Sequence, residues 1–217
     1  MAAKISITDQ EKQACKEFAE IYADTVRDIY AKNRNQNDIK IIIDQAYWAK
    51  LAEVAVEKEV QKIKVEIVEG VDFSIHQRHQ KSFDADIKTV NARLHVKSLH
   101  FDRAEKSWVF QKTDPVVYEP EEDEILVFCV THPNYVEIVG ACQANAALSF
   151  YAPPRKSELA ATKECLYLIN HPKKPKVPEI SEILKSLETV LKARTQLRVG
   201  YTDKSRKSMQ AYVWKEF

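Results

Sequence analysis

Glycine is scarce in this chain, and its scarcity excludes two common classes of nucleotide-binding protein. Only three of the 217 residues are glycine. A Walker phosphate loop or a dinucleotide-binding fingerprint needs several closely spaced glycines, which form its tight turn and let the phosphates approach the backbone. Neither motif occurs, so we expect no nucleotide cofactor.

Paired cysteines and long apolar runs are also missing. The four cysteines have no CxxC spacing, which is typical of reduced core thiols in an intracellular protein rather than of a disulfide framework or a zinc site. No uninterrupted apolar run approaches the length of a membrane span. The first residues lack the apolar segment of a signal peptide. The sequence therefore predicts a cytoplasmic protein without a membrane partner.

Charge is nearly balanced over the whole chain but divided unevenly along it. The formal net charge is +1. Residues 151–217 hold 14 Lys and Arg against 7 Asp and Glu, whereas residues 1–150 hold 19 against 25. A basic C-terminal third suggests contact with a polyanion, and an acidic body suggests bound cations. An ordinary solvated helix with a basic tail explains the charge about equally well.

Hydrophobic periodicity predicts helices first, then closely spaced strands, then helices. This order indicates an α+β or mixed α/β fold in which a mixed, mostly antiparallel sheet is flanked by helices. Strands this close in sequence leave no room for the crossovers of a doubly wound sheet. The predicted helices are 9–32, 39–61, 155–168 and 179–194, and the predicted strands are 63–67, 84–90, 93–99, 107–111, 125–131 and 135–141. We divide the chain into an N-terminal helical segment (1–45), a core (46–152) and a basic helical C-terminal region (153–217).

Candidate chemistry is concentrated on two neighbouring predicted strands. Asp84 and Asp86 share one face of the first strand because side chains alternate along a strand. His95 and Lys97 share one face of the second for the same reason. If the two strands form a hairpin, an acid and the His95/Lys97 pair face one pocket, where they could hold a divalent metal and orient a water. The polar outer face of an ordinary hairpin is the alternative.

A glutamate on the preceding helix is the third candidate. Glu53 lies in the apolar context Leu51-Ala52-Glu53-Val54-Ala55. A carboxylate on a buried helix face needs a cation or a hydrogen-bond donor, because its burial without one is costly. The alternative is a surface glutamate paired with Lys50 or Lys58.

The order of these residues resembles that of the PD-(D/E)XK superfamily, the restriction-endonuclease-like nucleases. In that family a helix carries a glutamate, here Glu53, and a strand then brings an aspartate, here Asp86. The next strand brings a carboxylate-x-lysine triplet, here replaced by His95-Val96-Lys97. The resemblance covers roughly residues 46–145 and extends to the later segments Trp108–Gln111, Asp123–Val130 and Tyr135–Gly140.

The resemblance implies a restriction-endonuclease-like core and a metal-dependent DNA endonuclease of restriction or phage type. Asp86, with Glu53, His95 or Asp84, would hold Mg²⁺ or Mn²⁺, and Lys97 would position the attacking water. His95 departs from the family pattern and predicts a preference for Mn²⁺, because imidazole suits Mg²⁺ poorly.

Several polar residues are candidates for contact with DNA. Gln111 is a plausible outer contact on the next strand, and the predicted phosphate contacts are Arg78, Lys81, Lys173, Lys174 and Lys176. His76 and His79 form a rival zinc motif, three residues apart.

The sequence leaves a homodimer open, and it leaves two other functions open: a decayed nuclease that only binds nucleic acid, and an unrelated α+β interaction protein.

Overall fold

A six-stranded sheet forms the centre of the molecule, with helices on one face and a two-stranded sheet on the other. The computed structural model describes residues 2–34, 38–75, 84–103, 106–155, 159–168 and 177–194. The described chain is a mixed α+β fold with flanking helices, which confirms the predicted fold class at that level.

Two long helices, α1 (Asp9–Arg34) and α2 (Ile39–Lys62), cover the first face. α1 begins with a reciprocal capping box: Glu11 N–H donates to Thr8 Oγ1 (3.2 Å), and Thr8 N–H donates to Glu11 Oε2 (2.7 Å). The Asp38 carboxylate caps α2 by accepting from Lys40 N–H at 2.9 Å. α2 ends at Lys62 with Ile63 as its C-cap, and Lys64 follows with a positive φ of 59°. Both predicted helices are confirmed.

The strands of the central sheet are β1 (Ala3–Ser6), β2 (Ile67–Glu69), β3 (Ile87–Thr89), β4 (Arg93–His100), β6 (Glu124–Thr131) and β7 (Tyr135–Gln143). They run in the order β1-β7-β6-β4-β3-β2. Four of the five strand pairs are antiparallel, and β4 and β6 are parallel in register from Arg93/Glu124 to His100/Thr131.

The second face is covered by a smaller antiparallel sheet and short helices. β5 (Ser107–Gln111) pairs with β8 (Lys163–Tyr167). The chain between β4 and β6 holds β5 and α3 (Pro115–Tyr118), and α4 (Ala144–Ala147) follows β7. This layer packs on the sheet through an apolar cluster that includes Trp108, Phe110, Leu126, Phe128 and Leu166.

Alternation along β4 decides which of its side chains meet which layer. Leu94 and Val96 pack in the cluster beneath α2, together with Leu51, Ala55 and Val127. Residues at the odd positions of β4 therefore point to the opposite face, towards β5 and β8. His95 and Lys97 are both at odd positions.

Four local predictions are wrong or only partly right. The strand expected at 84–90 is a strand only over Ile87–Thr89, so Asp84 and Asp86 precede it. The strand expected at 63–67 begins only at Ile67, because the C-cap of α2 at Ile63 and the positive φ of Lys64 turn the chain just before it. The helix expected at 155–168 is wrong, since Lys163–Tyr167 form β8 and pair across their whole length with β5. The helix expected at 179–194 is helical (α5) only over 187–194.

Residue 185 explains the late start of α5, because it bridges to the central sheet. Lys185 exchanges both backbone hydrogen bonds with Ala141, at 2.8 and 3.0 Å. Gly140 makes room for this segment: a Cβ there would lie 3.0 Å from Leu184 Cβ and 3.1 Å from Lys185 O. β1 at the sheet edge was not predicted, and the division into three segments stays a prediction.

Candidate active site

Asp86 lies where the β3–β4 pair separates. It directly precedes β3, and its N–H donates to Leu94 O at 2.9 Å. Its carboxylate Oδ2 accepts from Val96 N–H at 2.7 Å, in the place where a strand carbonyl would continue the ladder. The side chain thus terminates the pairing, and the rest of β4 extends past the end of β3.

Glu53 lies on α2 and is tied to a buried lysine one turn earlier. Lys50 Nζ donates to Glu53 Oε2 at 2.5 Å and to Asp72 O at 2.9 Å. The side chains of Lys50 and Glu53 are only 8% and 13% exposed. Lys50 Nζ also lies 4.4 Å from the ring centroid of Phe18. The alternative pairing of Glu53 with Lys50 does occur, but the pair is part-buried and does not lie on the surface, whereas Lys58 pairs with Glu11.

The two carboxyl groups influence each other's protonation. Burial, with the charge of Asp86 as a second cause, raises the pKa of Glu53 to about 8, and Lys50 opposes the rise. Burial also raises the pKa of Asp86, while Lys97, the Val96 hydrogen bond and His95 favour its ionised form. Asp86 is therefore electrostatically linked both to Glu53 and to Lys97, although these two residues belong to different faces of the sheet.

Lys97 is partly exposed on the face opposite α2. Its Nζ lies 4.0 Å from Asp114 Oδ2 and 5.1 Å from the ring centroid of Phe110. Asp114 is held in place because its Oδ1 caps α3 by accepting from Val116 N–H at 3.2 Å. The second layer thus supplies a carboxylate partner for Lys97 that sequence reasoning did not assign to the site. The Asp-Pro start of a helix was the available signal.

His95 is buried beside a carboxylate that sequence reasoning also missed. Its Nε2 lies 3.3 Å from Glu124 Oε1, at the start of the parallel neighbour β6. Glu124 Oε2 accepts from Glu121 N–H at 2.8 Å, which fixes its orientation. If Nε2 donates to Glu124, Nδ1 keeps its lone pair. Metal-binding histidines are commonly oriented by such a carboxylate.

The remaining predicted site residues lie apart from this arrangement or outside the described chain. Asp84 is exposed and pairs with Lys88 Nζ at 3.0 Å, and Lys88 also pairs with Glu69. Gln111 is half-buried at the end of β5, opposite Lys163 of β8. The predicted phosphate contacts and the rival zinc motif lie outside the described residues: His76, Arg78, His79, Lys81, Lys173, Lys174 and Lys176.

A metal at this position would depend on few protein ligands. Within the described ranges, no three or more His, Cys, Asp or Glu side chains converge as a metal-binding group. Glu53 and Asp86 supply two carboxyls, and the charge of Asp86 acts on Glu53. Mg²⁺ commonly binds through one or two carboxylates and completes its shell with water and substrate phosphate, so two carboxyls fit this mode of binding and would not form an all-protein cage.

No protein-family model, curated protein or solved structure matches this chain. The helices that the structure describes include none that is both long and apolar enough to cross a membrane.

Proposed function

We propose that the chain is a divalent-metal-dependent endonuclease that hydrolyses DNA phosphodiester bonds on a restriction-endonuclease-like core. The observation that carries the proposal is the linkage of Asp86 to both Glu53 and Lys97. Carboxyls with raised pKa values, set beside lysines where a strand pair separates, are more typical of functional sites than of structural ion pairs.

The topology supports the same proposal. Helix α2 carries Glu53, the antiparallel strands β2, β3 and β4 follow, and a crossover leads to β6, which is parallel to β4. Asp86, directly before β3, and Lys97, on β4, follow in the order that the family resemblance expects. The residue between them in the motif is His95, whose carboxylate partner is Glu124.

Each residue has a distinct role in the proposed reaction. A bound Mg²⁺ or Mn²⁺ would neutralise charge on the phosphate and acidify a water. Glu53 and Asp86 would bind the ion once deprotonated, and Lys50 favours the ionised form of Glu53. Lys97 would place its ammonium beside the attacking water and the developing negative charge. Asp114 would hold Lys97 in this orientation.

Cleavage of supercoiled plasmid with Mg²⁺ and with Mn²⁺ tests the proposal. We expect nicked or linear product from the wild type and at least a roughly hundredfold slower cleavage by Asp86→Asn and by Lys97→Ala, since each removes a group needed in the transition state. The matched control is Lys192→Ala, because Lys192 is an exposed helical lysine that pairs with Glu188 one turn away. Cleavage by Lys97→Ala at the wild-type rate would refute the assignment.

A second candidate function is a DNA-binding module without catalysis. It is favoured by the buried position of His95 against Glu124, at the place where the nucleases that the sequence resembles have a carboxylate, and by the lack of a third convergent ligand in the described ranges. DNA binding without cleavage in either metal, with a salt-dependent affinity, would select this function.

A further inference from the structure

A short segment that follows β2 runs along α2 beside Glu53, and we call this segment, residues 70–75, the strap. Strand β2 ends at Glu69, so the strap lies outside the sheet. Two α2 side chains hold it, those of Lys50 and Glu57. Because Lys50, Glu53 and Glu57 are three and four residues apart, they lie on one face of the helix. Glu53 is therefore between the two points at which the strap is held.

The ammonium of Lys50 joins the strap to Glu53. It donates to Asp72 O of the strap at 2.9 Å and to Glu53 Oε2 at 2.5 Å. At the second point, Val71 N–H of the strap donates to Glu57 Oε1 at 3.4 Å. One cation thus fixes the strap and covers an oxygen of Glu53.

Phe73 of the strap adds an aromatic contact to this hold. Its ring meets that of Phe18 on α1 edge to face, with the centroids 6.0 Å apart. Lys50 Nζ lies 5.6 Å from the Phe73 centroid and 4.4 Å from the Phe18 centroid. If the ammonium leaves Glu53, it therefore keeps Asp72 O and two aromatic faces as partners.

The strap is the cover of Glu53 that can move at the least cost in free energy. α1 and the strands of the sheet bury whole side chains in the core cluster, such as that of Cys15 on α1. In the strap, Val71 is only partly buried against that cluster, and Phe73 is 40% exposed. Segments with few buried apolar contacts open locally at a small fraction of the global free energy of unfolding.

A metal ion needs such an opening to reach Glu53. The Glu53 side chain is only 13% exposed, and the Lys50 ammonium lies directly on one of its oxygens. A divalent cation and an ammonium repel each other strongly at this distance. The ion can therefore bind Glu53 only after Lys50 has moved away, and Lys50 is tied to the strap.

We propose that the strap controls the access of the metal ion to Glu53: when closed it holds Lys50 on the carboxylate, and it opens when the ion binds. This inference rests on the proposed function, because it takes Glu53 as a metal ligand. A closed strap leaves only a fraction of the molecules competent to bind, and the apparent Kd is the intrinsic Kd divided by that fraction. Loosening the strap should therefore tighten metal binding, whereas damage to a ligand would weaken it.

Titration of the metal-free protein with Mn²⁺, followed by the electron paramagnetic resonance signal of the free ion, tests this inference without DNA or cleavage. Two variants loosen the strap and leave its charge unchanged. In Gly70→Ala the new Cβ would collide with Glu57 Oε1 and push that side chain away from Val71 N–H. Phe73→Ala removes the contact with Phe18. We expect each to lower the Kd for Mn²⁺ roughly two- to tenfold, the weight of one hydrogen bond or one aromatic contact.

The matched control is Phe101→Ala, which should leave the Kd unchanged. Phe101 is a ring of similar exposure, 43%, that stacks on His132 away from the strap. Hydrogen exchange of the metal-free variants shows that the strap and not the fold is loosened. Exchange should be faster than in the wild type at 71–75 and unchanged at 125–131, which is the centre of the sheet.

The outcomes separate this inference from the nuclease proposal. An unchanged or weaker Mn²⁺ affinity in the two folded variants, or strap exchange no faster than in the wild type, overturns the strap; plasmid cleavage by the wild type then leaves the nuclease proposal standing alone. Tighter Mn²⁺ binding by both variants of a protein that never cleaves supports the strap and overturns the nuclease proposal. No Mn²⁺ binding by the wild type or by either variant overturns both.

Discussion

Replacing Glu53 with glutamine is expected to stabilise the folded protein at pH 8 much more than at pH 5. The pKa of Glu53 is about 8 in the fold and starts from 4.5. The folded state therefore holds a proton that the unfolded state has released, and wild-type stability falls as pH rises from about 4.5 to about 8. A glutamine side chain does not titrate, so the variant loses this dependence.

The size of the effect follows from the difference in pKa. Each pKa unit corresponds to about 1.36 kcal/mol. Between pH 5 and pH 8, the titration of Glu53 therefore lowers the free energy of unfolding of the wild type by about 3.5 kcal/mol. At pH 5 the wild-type side chain is protonated and neutral, like glutamine, and both can accept the Lys50 hydrogen bond. The free energies of unfolding should then nearly agree at pH 5 and diverge at pH 8.

Urea unfolding of the metal-free proteins, followed by circular dichroism at pH 5, 6.5 and 8, measures the difference. The matched control is Glu20→Gln, because the Glu20 side chain is a helical glutamate that is 53% exposed. It should change the free energy of unfolding by less than about 0.5 kcal/mol at every pH. A Glu53→Gln effect that is the same at pH 5 and pH 8 would refute the reasoning.

Three further predictions concern other parts of the chain. Gly140→Ala should lower the free energy of unfolding by about 1–3 kcal/mol, because its Cβ would crowd Leu184 and Lys185 O; an unchanged melting temperature would contradict the close approach. All four cysteines are buried, and burial raises the pKa of Cys15 and Cys142 to about 12, so a thiol reagent should label the native protein slowly and all four sites in urea. Replacing the three lysines at 173, 174 and 176 with glutamine should weaken DNA binding and reduce its salt slope by roughly 0.9 per lost phosphate contact, and an unchanged slope would exclude their contact with phosphate.

Substituting the lysines, and not truncating the chain, is the right test of DNA binding by the basic C-terminal third, because parts of that region belong to the core. Leu187, Val190 and Leu191 are buried against the helical face, and Leu166 is buried in the second-face cluster. Truncation after residue 154 would remove all four side chains together with β8. Such a variant would lose stability as well as charge, so its DNA affinity would not isolate the role of the lysines.

Local patterns predicted most of the elements that apolar residues mark out clearly. α1, α2 and the strands near 93–99, 107–111 and 135–141 were found because apolar residues recur at one spacing along each. The strand near 125–131 was found as a short continuous apolar run, and all eight residues of β6 are buried. The pattern fails at 155–168, where Cys165, Leu166 and Tyr167 are all buried and show no alternation. The secondary structure of that segment is set by its pairing with β5, which is distant in sequence, and this pairing overrides the local propensity.

The candidate site was predictable as a set of charged residues but not as a network. The spacing placed Asp86 and Lys97 on adjacent strands and Glu53 on the preceding helix. The partners of these groups come from other elements: Asp72 O reaches Lys50, Glu124 reaches His95 through the parallel neighbour, and Asp114 reaches Lys97 from the second layer. The sequence around the motif does not indicate which distant carboxylate lies beside His95 and which lies beside Lys97.

The pairing of β1 with β7 has a kinetic consequence. Ala3 lies opposite Ile138 and Ser6 opposite Tyr135, so β1, which is synthesised long before β7, cannot dock until β7 exists. Closing so long a loop is slow and gains only a short edge strand in return. β1 is therefore expected to join after the rate-limiting step, so that shortening it would speed unfolding and leave the refolding rate nearly unchanged.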